Sequence, residues 1–185
     1  MDKIKILYLD DEKDPNISEY LRDDLELNNI QIDYNEDKFE QSDSYVSVLQ
    51  KECLLDSDLI IIDSKLFRDS VVGDEKLTGE ELKIIIKKLF PYKEIIVITQ
   101  NNLSDKYEVL PKYNIVKNKE IDSQGFYDKE WKPIIQESVK RIIDFRNLAK
   151  VLEEKNNTEK VLLQQIKSSL EGRAEYVQLT ENDID

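Results

Sequence analysis

Two stretches of this chain, "LIII" at positions 59–62 and "IIVI" at 95–98, are apolar at every residue, and each leads to a polar one, Asp63 and Thr99. A strand with one face in water alternates apolar and polar residues. A strand that is apolar throughout is covered on both faces, as in the middle of a parallel sheet flanked by helices. In open sheets of that kind ligands bind beyond the carboxyl ends of the strands, so the residues found there are the first candidates for chemistry.

The rest of the chain supplies the alternation such a sheet needs. "KIKILYL" (3–9) reads as a strand, and a helix is expected over 16–28, with Ile17, Tyr20, Leu21 and Leu25 on one face. "IQIDY" (30–34) alternates as an edge strand does, and a second helix is expected over 42–55. "GEELKIIIKKLF" reads as a third helix, stopped by Pro91. A weaker helix over 104–110 precedes "YNIV" (113–116), read as the fifth strand. The expected fold class is therefore α/β: a five-stranded parallel sheet of order 2-1-3-4-5, with right-handed crossovers, helices on both faces and an extended C-terminal helical segment.

Composition removes whole classes of function. A length of 185 residues suits one domain with an appendage. The net charge of −13 argues against nucleic-acid or anionic-membrane partners, which require clustered Lys and Arg. The chain has no histidine, which excludes Ser-His-Asp and Cys-His catalysis, histidine metal sites and an internal phosphohistidine. Any phosphoryl donor must come from outside. The lone Cys53 cannot form an internal disulfide, and its place on a helix face with Tyr45, Val48 and Leu49 reads as structural, in a reducing compartment. "MDKIKILYLDD" is too short an apolar run for a leader or an anchor, so the expected location is the cytoplasm. The four glycines build neither a phosphate-binding loop nor a dinucleotide fingerprint.

Collected at the strand ends are Asp10 and Asp11 after the first strand, Asp63 after the third, Thr99 after the fourth and Lys117 after the fifth. Any one of these has an ordinary structural explanation, as a cap, a strand end or a solvated lysine. Together they form a chemical set. Three crowded carboxylates call for a hard divalent cation such as Mg²⁺. A carboxylate in line with a phosphorus atom is a competent nucleophile, while an ammonium offsets the oxygen charge and a hydroxyl donates to it. Asp63 is the expected phospho-acceptor, Asp10 and Asp11 the metal acids, Thr99 the donor and Lys117 the counter-charge.

With these motifs in place, the chain resembles the receiver domain of two-component response regulators. "ILYLDDE" is similar to that family's first strand and acidic pair, "DLIIID" to its phospho-acceptor strand, "IIVITQ" to the strand ending in Thr or Ser, and "IVK" to the strand ending in Lys. "TGEELKIIIKKL" is similar to its Gly-led third helix, and the resemblance covers about residues 3–150. It implies a histidine kinase or phosphotransfer protein as donor, Mg²⁺ as cofactor, and the backbone carbonyl of Lys65 as a further metal ligand. It also implies a switch that is no turnover enzyme beyond self-phosphotransfer and self-dephosphorylation. The chain departs from the family pattern in a long segment at 64–78, in Gln100 after Thr99, in Asn118 after the lysine, and in Asn114 where an aromatic is usual, although Tyr113 is adjacent.

Three segments are expected: a receiver-like core at 1–128, a closing helix at 129–155, and a short helix with an acidic tail at 156–185. In the closing helix Ile135, Val139, Ile142, Phe145, Ala149 and Leu152 recur at helical spacing. A second stripe, Val161, Leu162, Ile166 and Leu170, either folds back on the domain or forms a homodimer or partner coil. The residues after 155 are too few for a DNA-binding output domain, so a protein surface is the expected output. The phosphorylation switch stands beside one alternative, a pseudo-receiver that binds partners without phosphorylation.

Overall fold

The computed structural model describes residues 1–40, 42–66, 78–100, 109–115 and 121–155, together with 166 and 168. In chain order the elements are β1 (Asp2–Asp10), α1 (Pro15–Glu19), β2 (Ile30–Lys38), α2 (Tyr45–Leu49), α3 (Glu52–Asp56), β3 (Leu59–Asp63) and α4 (Gly79–Leu89). They continue through β4 (Glu94–Thr99), β5 (Val109–Pro111) and α5 (Ser123–Glu130) to α6 (Lys132–Lys155). The five strands form one parallel sheet in the order β2-β1-β3-β4-β5, as expected from the sequence.

The pleat of the central strands explains their composition. Ile4, Ile6 and Tyr8 of β1, Leu59 and Ile61 of β3, and Ile96 and Ile98 of β4 face one core, closed by α1, α5 and α6 through Ile17, Tyr127, Trp131, Ile135 and Val139. Leu7, Leu9, Ile60, Ile62 and Ile95 face the other, closed by α2, α3 and α4 through Val48, Leu54, Leu82 and Ile86. Every residue of β3 and β4 is buried, so neither strand has a face to give to water. Truncating one of these isoleucines to alanine costs about 2–5 kcal/mol.

Local chemistry sets the helix limits. Asp14 caps α1 by accepting from the Asn16 amide, with Pro15 at the first helical position. The helix then widens into a π-helical turn at Tyr20–Asp24, closed by the Leu25 amide on the Tyr20 carbonyl at 2.8 Å. Thr78 and Glu81 form a reciprocal capping box at the start of α4. The expected helix over 42–55 is two short helices, because Lys51 adopts an extended backbone between them. Its ammonium reaches back to Asp37 and Asp43, at 2.8 and 3.0 Å.

One strand is corrected. The fifth strand is Val109–Pro111 rather than 113–116, and residues 109 and 110 are strand rather than the end of a helix. The rest of the expected helix, 104–108, most of the 64–78 segment, and all but residues 166 and 168 of the second C-terminal helix lie outside the described residues. No helix among the described residues is long and apolar enough to cross a membrane.

Candidate functional site

The carboxyl ends of β1 and β3 bring Asp10 and Asp63 side by side, with Asp11 one residue beyond. A carboxylate oxygen from each of the three lies within 4.8 Å of the others. Asp10 and Asp63 are buried, at 1% and 6% exposure, so water does little to relieve their repulsion. The cation that does so is Lys112, the residue following β5. Its ammonium stands 2.7 Å from Asp10 and 2.8 Å from Asp63. Burial works against the Lys112 charge, but Asp63 and Asp10 outweigh it and hold the ammonium above its ordinary range.

Lys112 therefore occupies the place that the sequence reading assigned to Lys117, which lies outside the described residues. The shift follows from the position of β5: the strand ends at Pro111, and the Lys112 amide donates to the Thr99 carbonyl at 2.8 Å. With this lysine, Tyr113 follows the cation and Val109 takes the position that Asn114 was given.

Each carboxylate is also held by neutral donors. Asp10 Oδ2 accepts from the Tyr8 hydroxyl at 2.5 Å, and Oδ1 accepts from the Glu12 amide at 3.1 Å. Asp63 Oδ2 accepts from the Lys65 amide at 2.8 Å. The Tyr8 hydroxyl in turn accepts from the Asp14 amide at 3.2 Å, linking Asp10 to the cap of α1. Burial, together with the Asp10 charge and hydrogen bond, pushes the Tyr8 phenol up, so it stays a donor. Sequence reasoning read Tyr8 only as part of the first strand and missed this role; its placement two residues before Asp10 on the same strand was the available signal.

Asp11 is the half-exposed member. Its carboxyl is pushed up to about 6, first by burial and then by the hydrogen bond and charge of Asp10 and the charge of Asp63. A cleft of about 430 Å³ opens over the group, lined among others by Glu12, Lys13, Lys65 and Gln100. Thr99 ends β4 as expected and is buried, at 5% exposure, but Gln100 rather than Thr99 lines the cleft.

The start of α4 packs against the backbone of Asp63 and Ser64. The Gly79 amide donates to the Ser64 carbonyl at 2.9 Å, and Gly79 lies so close to the Asp63 carbonyl that a Cβ there would collide with it. Ser64 Oγ also bonds Glu80, at 2.8 and 2.9 Å, which ties the residue after Asp63 to the first turn of α4.

The donor set fits a hard divalent cation: among the described residues three convergent carboxylates stand against one buried ammonium, beside an open polar cleft. No protein-family model matches this chain, and no curated relative does. Among solved structures it is similar to a two-component transcriptional regulator AraC from Clostridium phytofermentans, 18% identical with a TM-score of 0.43 over 78% of this chain and 98% of that one. It is similar also to the response regulator TrrA from Thermotoga maritima in complex with Mg²⁺-BeF, 26% identical with a TM-score of 0.36 over 63% of this chain and 94% of that one. A third is the isolated REC domain of RcsB from Salmonella enterica serovar Typhimurium in the presence of phosphomimetic BeF₃⁻. It is 24% identical, with a TM-score of 0.36 over 55% of this chain and 65% of that one. At TM-scores below 0.5 these likenesses carry no inference about function. The sheet order and the helices on both of its faces define a receiver-like α/β fold.

Proposed function

We propose that this protein is a phospho-acceptor of the receiver type, taking a phosphoryl group on Asp63 and signalling through contacts with other proteins. The observation that carries the reading is the arrangement of Asp10, Asp11 and Asp63 around the buried Lys112 ammonium, under an open cleft. With no histidine in the chain, the donor is external, and a phosphohistidine on a kinase or phosphotransfer protein supplies the required chemistry. An Asp63 carboxylate oxygen attacks phosphorus, the N–P bond breaks as the O–P bond forms, and the imidazole departs with its electron pair.

Asp10, Asp11, Asp63 and the Lys65 carbonyl are the residues that would hold Mg²⁺, whose contribution is to offset charge on the phosphoryl oxygens. Lys112 supplies a second positive charge from the protein itself. Tyr8 and the Glu12 amide keep Asp10 oriented, and the Lys65 amide keeps Asp63 oriented. The product is the acyl phosphate on Asp63, lost by hydrolysis; the protein is a cytoplasmic switch rather than a turnover enzyme.

One observation favours a second reading, a pseudo-receiver that binds its partner without phosphorylation. Lys112 bridges Asp10 and Asp63, and amides or a phenol take further positions on both, so the pair is neutralised in part without any ligand. Intact mass separates the two. Wild type incubated with Mg²⁺ and acetyl phosphate or phosphoramidate is expected to gain one phosphoryl group, and Asp63→Asn to gain none. Folded wild type that gains none with ample donor supports the pseudo-receiver.

A further inference from the structure

Among the described residues Lys112 is the one buried cation at the three carboxylates, yet it follows a strand of only three residues. On its inner side β5 is held by β4, with Val109 opposite Val97, Leu110 opposite Ile98 and Pro111 opposite Thr99. As the last strand in the sheet order it has no strand on its outer side among the described residues. There the hold comes from side chains of the α5–α6 corner. The Trp131 indole N–H donates to the Pro111 carbonyl at 2.8 Å, and the Tyr113 amide donates to the Tyr127 hydroxyl at 3.4 Å. The two bonds grip the peptides on either side of Lys112.

We propose that Trp131 is a positioning residue for the site: its indole N–H fixes the backbone from which Lys112 reaches Asp10 and Asp63. Trp131 has no exposed surface, packs against Tyr127 at 4.6 Å between ring centroids, and closes α5 where α6 begins. A purely apolar role would need only its ring. The indole is also a buried donor, and on the edge of β5 it finds the carbonyl adjoining the residue that carries the site's counter-charge. A change in the partners of Lys112 is thereby felt at the base of α6, the longest helix described. The consequence for phosphoryl transfer rests on the function proposed above; the clamp itself does not.

The chain has a single tryptophan, so the indole N–H gives one unmistakable peak in a ¹⁵N–¹H spectrum of the full chain. Asp63→Asn, which keeps the shape of a Lys112 partner and removes its charge, is expected to move that peak by more than its linewidth. Asp33→Asn, which alters an exposed ion pair between Asp33 of β2 and Lys3 of β1, is expected to leave it in place. An indole peak that coincides in wild type and Asp63→Asn, or that moves as far in Asp33→Asn, overturns the clamp. Mg²⁺ added to wild type is expected to move the indole peak and the Glu12 amide peak with one midpoint. If Glu12 moves and the indole does not, the clamp fails and the metal site stands. If Mg²⁺ moves neither, the phospho-acceptor reading fails, and the Asp63→Asn spectrum still decides the clamp.

Discussion

Buried charge is handled in opposite ways at the two edges of the sheet. At the amino edge each carboxylate has cations or donors of its own. Glu94 pairs with Lys87 and with Arg141, both at 2.9 Å, and Asp58 pairs with Arg146 at 2.7 Å while accepting from the Lys5 amide at 2.8 Å. The buried Lys93 ammonium donates to the Leu55 and Ser57 carbonyls and lies over the rings of Phe90 and Tyr92. At the carboxyl edge three carboxylates converge and, among the described residues, one buried ammonium, Lys112, bridges two of them. Saturated pairing of the first kind closes a fold. A standing excess of negative charge leaves a free-energy gradient that a cation or a transferred group can use.

The largest expected effect comes from widening that excess. Lys112→Met leaves Asp10 and Asp63 without their ammonium and is expected to cost about 3–5 kcal/mol in urea unfolding. Millimolar Mg²⁺ should restore part of that loss, since it binds the folded state alone. Gly79→Ala presses a methyl group against the Asp63 carbonyl and should cost about 1–3 kcal/mol. Because it displaces the start of α4 beside Asp63, it should also slow adduct formation, which the mass assay reads. Glu94→Gln, at the amino edge, is expected to cost about 1–2 kcal/mol with no Mg²⁺ dependence, because Arg141 is half exposed and can turn to water.

The smallest effect is a pH dependence. In the folded protein the Asp11 carboxyl is pushed up to about 6, whereas in the unfolded chain it releases its proton near the ordinary carboxylate value of 3.8. The folded state thus binds more protons between those values, and without a divalent cation stability falls as pH rises through that window. Because Asp11 is half exposed, solvent screening reduces the effect to the order of 1 kcal/mol. Urea midpoints at pH 4 and pH 7 measure it, and Mg²⁺ should reverse the trend by favouring the ionised carboxylate.

What was legible in the sequence divides along the same physical lines. β1, β3 and β4 are central and buried, so their apolar runs announced them, and Asp10, Asp11 and Asp63 were found because each follows such a run. β5 has three residues, too few to set a period, and ends on Pro111. The stronger apolar pattern of "YNIV" drew the strand, and with it the lysine, from Lys112 to Lys117. Tyr8 lay inside the first strand and Trp131 just before the apolar stripe of the closing helix, and neither position points to a role for its polar atom. Only the structure shows that the phenol reaches Asp10 and the indole reaches Pro111.

The most direct measurement is the thermal midpoint of the full chain as a function of Mg²⁺, in wild type, Asp10→Asn and Glu94→Gln. A midpoint that climbs with Mg²⁺ in wild type and in Glu94→Gln, and stays flat in Asp10→Asn, is the predicted result. No climb in wild type up to millimolar Mg²⁺, or an equal climb in Asp10→Asn, would contradict the claim that the carboxyl edge is a cation-dependent site.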